Sequence, residues 1–250
     1  MVEQDIERQR AAMDLAGKYA DNPHNTADFI KFYESIDPKV YEDMSRITEF
    51  SDEQEHLAKS VYESKEAGAL ETPKDAAIFD VACGTGMLGK LLQAQGYTNI
   101  TGADATPNFV KVSKESGIYV DVFEHWFGMG VDRFPEEHKE RYDVVTASGC
   151  LSKGHIPNSG IDDIHLSLKV GGYFCAGWRT FYLTPGEENG FYEKLEAMVA
   201  EGKFTLVRRY EFLRGLTGKR LDEQVRAEYE KGIKRFQQAS STITVYQKTA

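Results

Sequence analysis

The chain has 250 residues, 41% of them hydrophobic, which is enough for one α/β domain with a sizeable core or for two small domains. Its formal net charge of -10 argues against a general binder of nucleic acids or anionic membranes, because binding to phosphate groups requires concentrated Lys and Arg. Between 203 and 235 basic residues outnumber acidic ones, and a solvated helix face explains this better than a site for an anionic substrate. The three cysteines form no Cys-x-x-Cys pair, no run of apolar residues reaches membrane-spanning length, and the N-terminus is too charged for a signal peptide. We therefore expect a cytoplasmic protein without disulfides or a structural metal.

The first part of the chain, residues 1–66, is acidic and has helical periodicity. We expect it to form a helical extension that covers part of a ligand cleft, followed by a domain over 67–250. The predicted helices lie near 3–19, 26–36, 39–48 and 51–65.

Beyond residue 76, short apolar strands alternate with helical segments, a pattern typical of a mostly parallel sheet with helices on both faces. The predicted strands are 76–82, 99–104, 117–123, 142–149, 172–178, 204–212 and 241–248. The predicted helices are 87–95, 107–115, 161–170, 187–202 and about 221–238. The alternation breaks at the last two strands, which favours an antiparallel strand at the end of the chain. The fold class is therefore α/β.

The stretch DVACGTGMLG at 80–89 follows the first strand and opens a helix, as a ligand-binding loop does in such sheets. Its glycines, Gly84, Gly86 and Gly89, spell the Gly-x-Gly-x-x-Gly pattern of dinucleotide sites. Asp104 lies at the end of the next strand, where an acid contacts ribose hydroxyls. Both a dinucleotide and S-adenosylmethionine carry such a ribose, so Asp104 fits either cofactor.

Asp80 favours one of these two cofactors. A pyrophosphate is negative and requires N–H groups with no acid nearby, whereas S-adenosylmethionine carries a sulfonium and an ammonium group. An acid at this point can contact the cofactor directly, act through water, hold the N–H groups of the loop, or simply cap the loop. The charge argument predicts S-adenosylmethionine.

Two motifs resemble those of class I S-adenosylmethionine-dependent methyltransferases. FDVACGTG is similar to the first motif, with Ala82 in place of its first glycine, and ITGADAT is similar to the second, whose acid binds the ribose. The resemblance implies a Rossmann-like, seven-stranded sheet with an antiparallel last strand. It also implies a set of cofactor-binding residues in these motifs: Asp80, Ala82, Gly84, Thr85, Gly86, Asp104 and Ala105.

A narrower resemblance, covering about residues 30 to 180, is to the Williams–Beuren-region methyltransferase-like family. It rests on FYESIDPKVYED, GIYVDVFEHWFG and GCLSKGHIP followed by GGYFCAGWR. It implies that Glu124, His125 and Trp126 lie near the adenine, although Trp126 could equally be a core aromatic residue. It places Tyr33 or Tyr41 near the methionine end, where a ring could shield the sulfonium, and packing is the alternative role for each.

The end of the fourth strand is where the donor methyl group should point, which makes Ser148 a further candidate. The Asn-Pro-Pro-Tyr motif, common where planar nitrogens are methylated, is not found there. His155 is the candidate general base, because an imidazole titrates near neutral pH. A structural loop histidine is its alternative role.

These observations predict a methyltransferase that uses S-adenosylmethionine to methylate a small molecule by in-line displacement, without a nucleic-acid or membrane partner. Two alternatives stay open: an NAD-type oxidoreductase, and a non-catalytic protein that binds S-adenosylmethionine. The sequence specifies neither the acceptor atom nor the oligomeric state.

Overall fold

The computed structural model describes residues 2–21, 26–62, 72–215, 220–230 and 238–250. Within these ranges four α-helices come first: α1 (Val2–Asp21), α2 (Thr26–Glu34), α3 (Pro38–Ile47) and α4 (Phe50–Tyr62). Helix α3 begins sharply because the Asp37 side chain accepts hydrogen bonds from the N–H groups of Lys39 and Val40, with Pro38 in the first turn. The predicted helical N-terminal region is confirmed, while residues 63–66 lie outside the described part of the chain and the boundary at 66 stays a prediction.

Among the described residues, seven strands and five further α-helices follow. The strands are β1 (Ile78–Val81), β2 (Ile100–Asp104), β3 (Asp121–Glu124), β4 (Tyr142–Ser148), β5 (Leu168–Arg179), β6 (Phe204–Gly215) and β7 (Gln238–Lys248). The helices are α5 (Met87–Ala94), α6 (Pro107–Glu115), α7 (Gly160–Ser167), α8 (Phe191–Ala200) and α9 (Glu223–Glu230). The predicted helix near 221–238 includes 231–237, which lie outside the described residues.

The strands form one sheet in the order β3-β2-β1-β4-β5-β7-β6. Strands β1 to β5 pair in parallel, and β7 runs antiparallel between β5 and β6. The predicted α/β class with an antiparallel last strand is confirmed. From β1 the chain proceeds outward to β2 and β3 on one side, and then returns to β4 and β5 on the other side. This reversal of strand order between β1 and β4 leaves a crevice at their carboxyl ends, where ligands of such sheets bind.

Several predicted boundaries differ from the structure, and at two of them the described contacts give the reason. The helix predicted to run to residue 170 ends at Ser167, because Leu168 already pairs with Tyr142 at the start of β5. The third strand was predicted from 117 but starts at Asp121. Before it, Gly117 adopts a φ of +69° and the Tyr119 side chain turns towards Asp80 instead of entering a strand.

The core covers both faces of the sheet. One face packs against α7 and α8 through residues such as Phe174, Ile164 and Leu195. On the other face, α4 and α5 pack side by side through Leu57 and Leu92. Helices α1, α3 and α9 form a separate apolar cluster. Helix α4 is therefore part of the sheet's helical layer, and it carries α2 and α3 towards the crevice.

Candidate active site

A cavity of about 140 Å³ lies at the carboxyl ends of β1 to β4, beneath α2 and α3. Most of the residues predicted from the sequence line it: Tyr33, Tyr41, Ala82, Gly84, Asp104, Ala105, His125, Trp126, Ser148 and His155. Asp80, Thr85 and Gly86 are buried behind its wall, and Glu124 is exposed to solvent. The structure thus brings residues from five separate segments of the sequence to one place.

The glycine loop turns through left-handed backbone conformations. Gly84 has a φ of +56°, and Gly86 has a φ of +85° as the residue that precedes α5. A Cβ atom on Gly84 would have as its nearest neighbour a Tyr41 ring carbon at 4.0 Å, so this side of the loop is open to a ligand. Ala82 also has a positive φ, +52°, where the motif it resembles has glycine. An L-residue in this conformation costs about 1–2 kcal/mol.

Asp104 faces the cavity with its carboxylate held by the backbone. The N–H of Gly84 donates to Oδ2 at 2.9 Å, and the N–H of Thr106 donates to Oδ1 at 2.8 Å. Burial raises the pKa of this carboxyl, and the same N–H groups oppose that rise. Each carboxylate oxygen can accept a further hydrogen bond, so the pair of oxygens suits a ribose diol.

Asp80 bonds to hydroxyl groups inside the protein. Tyr119 Oη donates to its Oδ2 at 2.7 Å and Thr146 Oγ1 donates to its Oδ1 at 3.1 Å. Burial raises its pKa to about 7, and the two hydroxyl groups partly oppose that rise. Of the roles considered for this acid, the contacts therefore favour an indirect one, in which Asp80 ties β1 to β4 and to the segment before β3.

The end of β3 contributes two side chains to the wall of the cavity. His125 is buried, and its Nε2 lies 3.7 Å from Asp163 Oδ2 without a hydrogen-bond partner among the described residues. Asp163 Oδ2 instead accepts the N–H of Gly128 at 2.6 Å. Trp126 is half-buried beside it. An unpartnered ring nitrogen and an indole on one wall fit a heteroaromatic base, which offers polar edges and an apolar face.

Helices α2 and α3 close the opposite side with aromatic rings. Tyr33 Oη lies 2.8 Å from His155 Nε2, which joins α2 to the loop after β4. His155 Nδ1 lies 3.0 Å from Ser152 Oγ and 3.3 Å from the carbonyl oxygen of Lys153. The rings of Tyr33 and Tyr41 meet edge to face with their centroids 5.8 Å apart.

A buried ion pair supports the end of β4 and was not identified from the sequence. Ser148 Oγ donates to Glu53 Oε1 at 3.2 Å, and Glu53 Oε2 lies 3.5 Å from Arg214 Nη2. The Arg214 guanidinium in turn lies 5.1 Å from the centre of the Phe50 ring, which lines the cavity. Glu53 belongs to a helix rich in acidic residues, and no local pattern distinguishes it from its exposed neighbours.

Neither a cluster of metal-ligating side chains nor a membrane-spanning helix is found in the described parts of the chain. No group of three or more His, Cys, Asp or Glu residues there is arranged to hold a metal ion. No helix among those described is long and apolar enough to cross a membrane. Cys83, Cys150 and Cys175 are free and buried.

The sheet order and the position of the cavity are those of a class I S-adenosylmethionine-dependent methyltransferase domain. Residues 79–174 match the family described as a methyltransferase domain. The standard dinucleotide-binding sheet has the order 3-2-1-4-5-6, without an antiparallel strand inserted before the last position. The prediction that this loop belongs to a methyltransferase domain that uses S-adenosylmethionine is therefore confirmed.

Two curated proteins are similar to part of the chain. Methyltransferase-like protein 27 of Homo sapiens is 33% identical over 108 residues, which are 43% of this chain and 42% of that protein. The ubiquinone biosynthesis O-methyltransferase of Bordetella avium is 28% identical over 107 residues, 43% of each chain. The matched region thus spans less than half the length of either relative.

A solved structure extends the likeness in fold to most of the chain. The geranyl diphosphate C-methyltransferase of Streptomyces coelicolor, solved with Mg²⁺, geranyl diphosphate and S-adenosyl-L-homocysteine, aligns with a TM-score of 0.53. The alignment covers 90% of this chain and 98% of that one at 14% sequence identity. At this identity the likeness concerns the fold alone.

Proposed function

We propose that this protein is a methyltransferase that transfers a methyl group from S-adenosylmethionine to a small-molecule acceptor by in-line displacement. The observation that carries the proposal is that the Asp104 carboxylate and the open side of Gly84 face one cavity at the carboxyl ends of β1 and β2. Within class I, the motif at 149–157 and the likeness to methyltransferase-like protein 27 support membership of the Williams–Beuren-region family.

Each wall of the cavity has a distinct task in this proposal. Asp104 accepts hydrogen bonds from the ribose hydroxyls. The small residues Ala82, Gly84 and Ala105 let the cofactor approach the backbone. His125 and Trp126 hold the adenine, and Tyr41 and Ser148 lie towards the methionine end. Asp80, Thr85 and Gly86 shape the loop from behind, and Glu124 is the least supported candidate because it is exposed. When bound, S-adenosylmethionine supplies an electrophilic methyl group on a sulfonium, so the protein needs mainly to align the acceptor and exclude water.

The lining of the cavity supports a small, uncharged acceptor. Among the described residues that line it there is no Lys or Arg, and aromatic rings dominate the side formed by α2 and α3. Oxygen is the acceptor atom that we favour, because one relative is named as an O-methyltransferase. His155, which also lines the cavity, is the candidate base in which the acceptor's proton charge finally resides.

Calorimetry with S-adenosylhomocysteine tests this function. Replacing Asp104 with Ala should weaken binding by about 1–3 kcal/mol, since it removes a buried hydrogen-bonding partner. The matched control is Asp162→Ala, which removes a partly exposed carboxylate paired with Lys194 outside the cavity lining and should leave the affinity unchanged. No measurable affinity of the wild-type protein for this ligand would refute the proposal.

The non-catalytic alternative is separated by a second measurement. Incubation with methyl-labelled S-adenosylmethionine and fractionated small-molecule extracts should yield a labelled product. Binding of the cofactor with no labelled product in any extract would favour a sensor over an enzyme.

A further inference from the structure

We propose that Tyr33 is a catalytic residue that takes the proton from the acceptor's hydroxyl group and passes its own to His155, and that the acceptor is a neutral phenol. This inference rests on the proposed function and adds to it a substrate class and a residue that touches the acceptor. It replaces the role near the sulfonium that the sequence suggested for Tyr33.

The direction of the Tyr33–His155 hydrogen bond follows from the other side of the imidazole ring. The carbonyl oxygen of Lys153, 3.3 Å from Nδ1, can only accept a hydrogen bond, so Nδ1 carries the proton. In the neutral ring Nε2 is then the acceptor. Tyr33 Oη, at 2.8 Å, therefore donates to Nε2. Ser152 Oγ, 3.0 Å from Nδ1, helps to fix the orientation of the ring.

The two side chains lie where an acceptor has to be held. Both line the cavity. The Tyr33 ring contacts the Tyr41 ring, which in turn lies beside the open side of Gly84. Tyr33 thus contacts the loop after β4 through its hydroxyl and contacts, through its ring, the Tyr41 ring that borders the glycine loop. Because this hydroxyl occupies the lone pair of Nε2, an acceptor reaches the imidazole only through Tyr33.

The proton transfer balances without any further reactant. The O–H bond of the acceptor breaks, its electron pair stays on the acceptor oxygen, and the proton passes to Tyr33 Oη. At the same time the proton of Tyr33 passes to Nε2 of His155, so Tyr33 ends neutral and the imidazole becomes an imidazolium.

The surroundings of the relay define the acceptor. The ring centroids of Phe29 and His155 are 4.3 Å apart, and those of Phe109 and Tyr33 are 5.7 Å apart. Ile30 and Phe50 extend this apolar wall. A carboxylate or phosphate on the acceptor would lose its hydration against these rings and find no Lys or Arg among the described lining residues. An aromatic body with one uncharged hydroxyl group satisfies both the wall and the relay.

A coloured phenol tests the proposal independently of methyl transfer. 4-Nitrophenol is mixed with the protein and saturating S-adenosylhomocysteine at about pH 6.5, and its phenolate is measured by visible absorbance. We expect the phenolate fraction to rise on binding. If the wild-type protein binds S-adenosylhomocysteine but leaves this absorbance unchanged, the relay and the acceptor class are both refuted while the proposed function stands. Failure to bind S-adenosylhomocysteine would instead refute the proposed function.

Three variants assign the signal to the relay. Tyr33→Phe and His155→Gln should each remove the absorbance change while keeping the affinity for S-adenosylhomocysteine within about threefold, and the double variant should lose no more than either single variant. Tyr182→Phe is the matched control, because Tyr182 Oη accepts the N–H of Lys153 in the same loop at 3.2 Å without joining the relay. It should keep the full signal. A full signal in Tyr33→Phe or His155→Gln, or its loss in the control, would overturn the assignment.

Discussion

Gly89, the last glycine of the Gly-x-Gly-x-x-Gly pattern, is required because the packing beneath the glycine loop leaves no room for a side chain. It lies inside α5 against the segment before β3. A Cβ atom there would lie 2.5 Å from Tyr119 Oη, 2.7 Å from Tyr119 Cζ and 3.0 Å from a methyl group of Ile118. Tyr119 has little freedom to move aside, because its hydroxyl donates to the buried Asp80.

The expected effect of Gly89→Ala follows from three contributions. Alanine within a helix gains about 1 kcal/mol over glycine. Overpacking of a buried site costs about 1–3 kcal/mol, and losing the Tyr119–Asp80 hydrogen bond costs about 1–3 kcal/mol more. The variant should therefore lose about 1–5 kcal/mol of unfolding free energy despite its better helix propensity.

Urea denaturation followed by circular dichroism measures this free energy, and Gly17→Ala is the matched control. Gly17 lies inside α1, and a Cβ there would meet no atom of the described residues within 4 Å. The control should be stabilised by about 0.5–1 kcal/mol, so the same substitution has opposite signs at the two sites. Adding Tyr119→Phe to Gly89→Ala should recover part of the loss, since it removes the nearest clashing atom. Equal stabilisation of both glycine variants would refute this explanation.

Three further predictions concern the same region. Ala82→Gly should raise the unfolding free energy in urea titrations by about 0.5–1 kcal/mol, because it relieves a positive φ; a loss of stability would contradict this. Asp80 has its folded-state pKa raised from 3.8 to about 7, so the folded protein binds a proton that the unfolded chain releases, and stability should fall as pH rises from about 4 to 7. Asp80→Asn should make that slope shallower by up to about 1.4 kcal/mol per pH unit, with Asp104 supplying a remainder of the same sign; an unchanged slope would mean that Asp80 does not titrate there. Arg214→Met should lower the unfolding free energy in urea titrations by about 3–5 kcal/mol, because it leaves the buried Glu53 carboxylate without this cationic partner; a variant as stable as the wild type would exclude a contribution from the ion pair.

The fold was predictable because its signals are local. Strands β1, β2 and β4 are short apolar runs bounded by turn residues, and the positive φ values of the glycine loop fall on Gly84 and Gly86, where the sequence already signals a turn. The errors occur where tertiary pairing overrides local pattern. Residues 168–170 continue a helical spacing, yet the pairing of Leu168 with β4 makes them a strand.

The site was predictable only in part, for a related reason. Asp104 follows from its distance along the chain from Gly84, a spacing fixed by one strand–helix–strand unit. The contacts of His155 with Tyr33 and of Glu53 with Ser148 join segments about a hundred residues apart, and nothing in either segment encodes its partner. Asp80 was predicted to act at the cofactor site because of its place in the first motif, and that role stays a prediction. Its contacts with Tyr119 and Thr146 depend on packing that a sequence pattern does not reveal.

The insertion of β7 between β5 and β6 has a consequence for how the sheet can fail. Strand β6 is connected to the rest of the sheet only through β7, so detachment of 238–248 would release two strands at once. It would also uncover the backbone N–H and C=O groups of β5 along an apolar stretch from Phe174 to Trp178. An uncovered apolar edge readily recruits other chains, so partial opening at this side should lead to aggregation before global unfolding.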